Sequence, residues 1–264
     1  MTDSAVLAVY AHPDDESLCA AGTLALCAAR GERVTLLCAT RGEHGPISSA
    51  ELATHETLAA VRERELRACC ETLGLEPPIF LDLPDGGVSW AAAEQGTLSQ
   101  LVRCIRQLRP RVVLSFGPDG LYGHSDHTAI AELTDNARRL AADPHYVVRA
   151  APQLAACRLP RLFCSVWTEE FVRELLQALT RAGKPSQLWS LRPEQFALHA
   201  DAITASVDVS TVLEQKLRAM RCHRTQLADD HVLTQLSLAE AQRFLSVEHF
   251  RCADDRPGDP LDCL

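Results

Sequence analysis

The chain has 264 residues, of which 47% are hydrophobic and 23% charged, and its formal net charge is −9. This composition is typical of a globular protein, and the length suits a single domain over residues 1–264. The negative charge argues against a protein held on nucleic acid by phosphate neutralisation. No apolar run approaches the roughly 20 residues of a transmembrane helix, so we expect no membrane insertion.

The N-terminus and the cysteines indicate the compartment. No basic segment followed by an apolar stretch opens the sequence, so a secretory signal is not expected. The 11 cysteines are irregularly spaced, form no CxxC pair and lie mainly in apolar segments. We interpret them as small buried hydrophobic residues in a reducing environment. The sequence therefore predicts a cytoplasmic protein without a disulfide framework.

The first half of the chain alternates between short apolar runs and amphipathic segments. The apolar runs predict buried parallel strands at residues 5–10, 33–39, 79–81 and 112–116. The amphipathic segments predict helices at residues 16–30, 49–73, 97–108 and 126–142. Such alternation predicts an α/β fold of the Rossmann-like, three-layer α/β/α type, with a mostly parallel twisted sheet.

The second half is less regular. It predicts strands at residues 162–167 and 203–209 and a helix at residues 211–222. Residues 180–200 contain Gly183, Pro185 and Pro193 and predict an excursion from the main fold, and residues 254–260 predict a loop-like tail. Residues 150–200 carry no motif, and we expect substrate selectivity to reside there.

Polar side chains follow directly on the first predicted strand, where Ala11–Glu16 contains His12, Asp14 and Asp15. Groups that bind metals or protons are costly to place beside a buried strand unless they have partners. Carboxylates at the start of a helix are also favoured by its free N–H groups. Taken alone, the segment is equally compatible with a metal site and with a helix cap.

A second polar loop, Gly117–His127, follows the fourth predicted strand and contains His124, Asp126 and His127. The two histidines are three residues apart, which can place both imidazoles on one face of a helical turn. Ligands of open α/β sheets bind at the carboxyl ends of strands, so the two loops should meet there. A His–Asp–His set would supply the three protein ligands typical of a zinc hydrolase, leaving one position for water.

The two motifs, HPDDE at residues 12–16 and HSDH at residues 124–127, resemble those of the LmbE-like, or PIG-L, deacetylase family. This family includes the N-acetylglucosaminyl-phosphatidylinositol deacetylase and the deacetylases of mycothiol and bacillithiol synthesis. Three further segments are similar to family elements: Arg62–Leu66 to an R-x-x-E-L helix, Leu83–Gly86 to a Pro-Asp-Gly loop, and Lys216 through Gln226 to a K…H-x-[ST]-Q element. The resemblance covers residues 5 to about 226.

The resemblance implies a metal site and a base. Zn²⁺ would be held by His12, Asp15 and His127, with Fe²⁺ as the other divalent ion that such a site accepts. Asp14 then corresponds to the general base that takes a proton from the attacking water. The deacetylated substrate would be an N-acetylglucosamine-type amino-sugar conjugate.

The resemblance also implies roles for three residues of the second loop. His124 would stabilise the oxyanion or protonate the leaving amine, Asp126 would orient a histidine, and Tyr122 would lie near the tetrahedral intermediate. Ser125 departs from the family pattern, in which proline is common, and we expect it to alter only the stiffness of the loop.

Five residues are candidates for substrate binding: Arg41, Glu43, Arg62, Asp85 and His223. The first two follow the second predicted strand and so open at the same sheet edge, and the other three lie in segments similar to family elements. The alternatives are a plain turn for residues 41–45 and for Asp85, and a solvated helix position for Arg62.

Several functions share these motifs. Besides the amino-sugar deacetylase, the chemistry suits an amidase of thiol conjugates, a deacylase of another small acylated amine, or a non-catalytic binding protein with a retained metal site. A dinucleotide binder is rejected, because no GxGxxG follows the first strand. The expected partner is the small-molecule substrate, and assembly into a homo-oligomer stays open.

Overall fold

The computed structural model describes residues 5–94, 96–184, 188, 191–229, 231–254 and 258–263. Within these ranges seven strands form one sheet: β1 Val6–Tyr10, β2 Val34–Cys38, β3 Ile79–Phe80, β4 Val112–Ser115, β5 Arg161–Ser165, β6 Ala205–Asp208 and β7 Val247–Cys252. Their order is β3-β2-β1-β4-β5-β7-β6. The first five strands pair in parallel, and β7 is antiparallel to both β5 and β6.

Two packed groups of helices flank this sheet. The helices are α1 Asp15–Cys19, α2 Ala21–Ala29, α3 Leu58–Leu73, α4 Val88–Glu94, α5 Thr97–Leu108, α6 Gly120–Gly123, α7 Ser125–Ala142, α8 Glu169–Arg181, α9 Leu213–Met220 and α10 Leu238–Leu245. One group contains α2, α3 and α9, and the other contains α4, α5 and α7. The predicted α/β fold with a mostly parallel sheet is confirmed. Among the helices so described, none has the length and apolarity of a bilayer-crossing segment.

The central strand β1 explains why the apolar pattern predicted the sheet. All five of its residues are buried, and it pairs in parallel with β2 on one side and β4 on the other. A strand covered on both faces needs a continuous apolar run rather than alternation. This pairing places the loops after β1 and β4 next to each other.

Two predicted helices are shorter than their sequence pattern. Residues 49–57 form turns, and α3 begins only at Leu58. The Thr54 amide donates to Thr57 Oγ1 over 2.9 Å, a local bond that competes with helical pairing. The predicted helix at 16–30 is interrupted at Ala20, whose φ is −152°. The break gives α2 its own free N-terminus.

Five elements were missing from the prediction: α4, α6, α8, α10 and β7. The omission of β7 is the most consequential, since it lies inside the sheet. Its pattern was obscured by Glu248, a charged residue that is buried. The predicted excursion at 180–200 begins within α8, and its described parts form turns and short 3-10 segments. Pro185 and residues 255–257 of the predicted tail lie outside the described residues.

Candidate functional site

The loops after β1 and β4 bring His12, Asp15 and His127 together, and all three are buried. His127 Nε2 lies 3.3 Å from His12 Nδ1 and 3.4 Å from Asp15 Oδ1. His12 Nδ1 lies 3.5 Å from Asp15 Oδ2. Ligand atoms bound to a tetrahedral zinc at its usual bond lengths are about 3.3–3.4 Å apart. The 3.3 Å between the two imidazole nitrogens therefore fits a divalent metal ion, and Asp15 presents a different carboxylate oxygen to each imidazole.

Hydrogen bonds orient the two histidine rings for this role. His12 Nε2 lies 3.1 Å from Asp85 Oδ1 and 3.2 Å from Asp126 Oδ2, so Nε2 carries a proton and Nδ1 is the nitrogen that faces Asp15 and His127. Against the effect of burial, the hydrogen bonds of these three carboxylates raise the pKa of His12, so a bound metal ion would have to displace the proton on Nδ1. His127 Nδ1 donates to the Gly120 carbonyl over 3.2 Å, which leaves Nε2 with its lone pair. Burial lowers the pKa of His127 to about 4. The neutral form of His127, which binds metals, is thus the stable one at neutral pH.

Asp14 follows in the same loop and lines the adjoining cavity. Its φ of 122° lies in a region that side-chain-bearing residues rarely adopt, at a cost of about 1–3 kcal/mol. Its amide donates to Glu16 Oε2 over 3.1 Å, and its carboxylate lies 3.4 Å from Arg62 Nη2. Burial raises the pKa of Asp14 to about 7, against the opposing charge of Arg62. The carboxyl group can both accept and release a proton near neutral pH.

Arg62 reaches the cavity from α3 and is itself buried. Its Nη1 donates to the Gly42 carbonyl over 2.8 Å, and its Nη2 donates to the Pro13 carbonyl over 2.6 Å. A Cβ on Gly42 would overlap the guanidinium, and one on Gly45 would lie 2.5 Å from Nη1. Gly42 and Gly45, in the loop after β2, therefore leave the room that the Arg62 side chain needs to reach Asp14.

Asp126 is buried and lies behind His12. It accepts hydrogen bonds from the Gly86 amide over 2.7 Å and from the Val88 amide over 3.2 Å, besides its contact with His12. These bonds outweigh the effect of burial and lower the pKa of Asp126. The Asp126 carboxylate thus connects the His12 imidazole to the loop that leads into α4. A group that orients the imidazole needs such fixed contacts on both sides.

Asp85 lines the cavity and belongs to that same loop. Besides its contact with His12, its Oδ2 accepts a hydrogen bond from the His44 amide over 2.9 Å. The hydrogen bond and charge of His12 prevail over burial and lower the pKa of Asp85 to about 2. A permanently ionised carboxylate therefore faces the cavity beside the donor cluster.

His124 and Tyr122 also line the cavity. His124 caps α7, since its Nδ1 accepts the Asp126 amide over 3.2 Å, so the neutral ring carries its proton on Nε2. Burial lowers the pKa of His124. Its ring stacks on that of His127 with centroids 4.6 Å apart, and its ligand nitrogen lies within 4.8 Å of those of His12 and His127. This places the His124 ring next to the three-ligand cluster.

The cavity has a volume of about 310 Å³ and is lined by both polar and apolar side chains. Besides His12, Asp15 and His124, its polar residues are Asp14, Arg62, Asp85 and Gln226, and its apolar residues include Leu18, Leu121, Tyr122, Trp167 and Phe196. The sequence did not single out Trp167 or Phe196. Trp167 ends the predicted strand 162–167 at the carboxyl edge of the sheet, and this position could have indicated that it lines the site. No feature of the sequence indicates the same for Phe196.

Two predicted substrate-binding residues, Arg41 and Glu43, do not line the cavity. The Arg41 guanidinium pairs with Glu63 over 2.7 Å and also with Asp82. Glu43 Oε1 accepts the Asp85 amide over 2.9 Å. Because their polar groups are engaged by neighbouring loops and by α3, Arg41 and Glu43 shape the surroundings of the site rather than face its interior.

His223 also departs from its predicted position. It is completely buried, with Nε2 2.6 Å from Glu16 Oε1, and Cys69 Sγ donates to the same oxygen over 3.0 Å. Direct contact with a substrate is thus excluded in this arrangement. Since the other oxygen of Glu16 accepts the Asp14 amide, His223 supports the loop from behind.

Comparisons with known proteins give the same picture. The family model of GlcNAc-PI de-N-acetylase, PIG-L, matches residues 7–138. A protein of Thermobispora bispora named 1D-myo-inositol 2-acetamido-2-deoxy-alpha-D-glucopyranoside deacetylase is 32% identical over 283 aligned positions, which cover 98% of this chain and 91% of that protein.

Two solved structures share the fold. GalB, the 4-carboxy-2-hydroxymuconate hydratase from Pseudomonas putida, has a TM-score of 0.70 at 24% identity and covers 98% of this chain and 99% of its own. The N,N'-diacetylchitobiose deacetylase from Pyrococcus horikoshii has a TM-score of 0.67 at 19% identity, with 94% and 82% covered. The architecture thus accommodates more than one chemistry, and the side chains of the site have to distinguish them.

Proposed function

We infer that this chain, which belongs to the PIG-L family of GlcNAc-PI de-N-acetylases, hydrolyses the acetamide of an N-acetylglucosamine conjugate to a free amine and acetate. The observation that carries the proposal is the joint placement of His12, Asp15 and His127 beside Asp14 at one cavity. The family relationship supports an amino-sugar conjugate of the kind named for the Thermobispora relative.

The metal ligands in this proposal are His12 Nδ1, Asp15 and His127 Nε2. Two imidazoles and one carboxylate suit Zn²⁺, and the same set accepts Fe²⁺, so the supply of metal decides between them. When bound, the ion would polarise the amide carbonyl and lower the pKa of a water molecule to about 7. Asp85 and Asp126 hold a proton on His12 Nε2, so that Nδ1 is the nitrogen that faces the ion.

Asp14 is the proposed general base, because its carboxylate lines the cavity beside the donor cluster without being needed as a ligand. The Arg62 guanidinium lies 3.4 Å from that carboxylate, and the hydrogen bond from the Asp14 amide to Glu16 fixes the backbone of the loop. The general base is therefore preorganised, and its side chain does not have to move when it accepts the proton.

His124 is the proposed oxyanion donor and proton source for the leaving amine. Its Nδ1 is occupied by the Asp126 amide, so Nε2–H is the group available to a substrate. Donors that are fixed before the reaction stabilise developing negative charge effectively, by about 3–4 kcal/mol for one donor. Tyr122 covers the same end of the cavity, with its ring centroid 5.2 Å from that of His127.

The test replaces the proposed base and keeps the metal ligands. In Asp14→Asn, we expect the metal content per chain to stay at the wild-type value. Release of amine from 1D-myo-inositol 2-acetamido-2-deoxy-alpha-D-glucopyranoside, the compound in the relative's name, should fall by about 10²–10⁴-fold in kcat. Elemental analysis and an amine-labelling assay measure the two quantities.

The matched control is Asp201→Asn, the same exchange at an exposed residue away from the cavity, which should leave both quantities unchanged. Wild-type turnover in Asp14→Asn would refute the assignment of the base. Absence of amine release by the zinc-loaded wild-type protein, across a panel of acetylated amino sugars and thiol conjugates, would refute the proposed function itself.

A further inference from the structure

The apolar side of the cavity points to the acyl half of the substrate. An N-acetylated sugar carries hydroxyl groups around its ring, whereas the methyl end of its acetyl group has no polar atom. Trp167 and Phe196 stack with ring centroids 6.0 Å apart and, with Leu18, form the apolar side of the cavity, whereas Asp85 and Gln226 supply polar atoms to it. The methyl group of the substrate is better placed against the apolar side than against these polar groups.

A second cavity adjoins that apolar side. Leu18, Cys19 and Trp167 line both cavities and so form the partition between them. The second cavity has a volume of about 20 Å³, room for little more than a water molecule. Its other apolar walls are Val166, Phe171, Phe244, Leu245 and Val247. The second cavity is too small for an alkyl chain as long as the indole of Trp167 lies between it and the catalytic cavity.

The charged residues of the second cavity are engaged with one another. Lys216 Nζ donates to Glu248 Oε1 over 2.8 Å, and both side chains are buried. The two Glu248 oxygens also accept the amides of Gly22 and Thr23, each over 2.8 Å. Because these groups are satisfied, the wall that the cavity offers to a ligand is the apolar one.

We propose that Trp167 sets the acyl-chain length of the reaction: it closes the apolar end of the catalytic cavity, so that acetyl fits and longer acyl chains are excluded. Phe171 and Phe196 hold the indole, with ring centroids 5.4 Å and 6.0 Å from it. The inference rests on the proposed function, since it assigns the acyl side of the same site.

The test compares Trp167→Ala with the wild type on N-acetyl-, N-butanoyl- and N-hexanoyl-glucosamine, by release of free amine. In the wild type, kcat/KM should be highest for acetyl and fall with each longer chain. In Trp167→Ala the order should reverse, with a gain of about fourfold for each methylene buried in the opened space. An unchanged order of preference in Trp167→Ala would overturn the inference.

Two further variants distinguish opened space from general loosening. Leu245→Trp, placed in the Trp167→Ala background, refills the second cavity and should abolish the gain for hexanoyl. Trp90→Ala removes an indole that is 60% exposed and outside both cavities, and should leave the order of the wild type. A hexanoyl gain that survives Leu245→Trp, or that appears in Trp90→Ala, would contradict the assignment.

A second measurement does not depend on turnover or on the stability of one variant. Hexanoate should inhibit acetyl release more strongly in Trp167→Ala, and in the milder Trp167→Leu, than in the wild type. Equal inhibition in all three proteins would overturn the inference. If the zinc-loaded wild type released no amine even from the acetyl compound, the proposed function would fail; an unchanged acyl preference with active wild type refutes only the role of Trp167.

Discussion

Asp14 combines a strained backbone with a buried acid, and the two features have one origin. The chain leaves β1 and must present Asp15 to His12 and His127 within a few residues, so Asp14 takes the turn at φ 122°. Bonds from the Asp14 amide to Glu16, and from Arg62 to the neighbouring Pro13 carbonyl, maintain this turn. Strain of this kind persists only where surrounding contacts over-determine the conformation.

This strain predicts an unusual order of stability. At most positions glycine is less stabilising than alanine, but at a positive φ alanine retains the strain and glycine relieves it. We therefore expect Asp14→Gly to be more stable than Asp14→Ala by about 1 kcal/mol. Equilibrium urea unfolding of the two inactive variants measures the difference. Glycine proving the less stable of the two would show that the turn at Asp14 carries no strain.

At the scale of residues, the sequence predicted the site residues that are ionisable and follow directly on an apolar strand. His12, Asp15 and His127 are ionisable residues directly after apolar strands, which is costly without partners, and the structure brings them together. The apolar lining was not predictable in the same way, because Phe196 is an ordinary hydrophobic residue in a segment without regular pattern. His223 was predicted to bind the substrate because its segment resembles a family element, and the local pattern does not indicate that the buried Glu16 is its partner.

Among the elements, the junction of α2 with β7 joins the N-terminal and C-terminal parts of the chain through buried hydrogen bonds. Glu248 of β7 accepts the Gly22 and Thr23 amides at the start of α2, where the positive end of the helix dipole favours a carboxylate. Lys216 of α9 completes this junction. A Cβ on Gly22 would overlap Val209, so the close approach of α2 to this region requires glycine.

The junction predicts unequal losses from its two charged residues. Glu248→Leu leaves a buried ammonium group and two helix amides without partners, and should lower the free energy of unfolding by about 3–5 kcal/mol. Lys216→Met leaves a carboxylate that still accepts two amides, and should cost less. Denaturant unfolding of both variants measures the order. Equal losses, or a larger loss for Lys216→Met, would mean that the ion pair rather than the helix cap dominates.

The same junction explains which elements the sequence did not predict. Most of the five parallel strands are apolar runs, and proline or glycine residues mark the ends of some of them, so the local sequence predicts these strands. In β7, Glu248 occupies an inward position, and the usual alternation of polar and apolar residues is lost. Its pairing between β5 and β6 depends on partners distant in sequence, which local patterns do not contain.

For the whole molecule, metal binding and folding are coupled, because the ligands come from loops after two neighbouring strands. An ion that binds only the folded chain stabilises it by about 4 kcal/mol at a concentration a thousand times its Kd. We expect zinc to raise the Tm of the wild-type protein and a chelator to reverse this. His127→Ala is the control, and its Tm should not respond to zinc. A wild-type Tm that is indifferent to the ion would argue against a site at His12, Asp15 and His127.

The position of β7 has a consequence for biosynthesis. The chain is made from its N-terminus, and the five parallel strands are complete by Ser165, whereas β6 pairs, among the described strands, only with β7 at Val247–Cys252. Until those last residues leave the ribosome, β5 presents an open edge and β6 has no strand to pair with. Exposed edges of this kind favour pairing with other chains. We therefore expect nascent chains of this protein to expose the β5 edge until β7 is inserted.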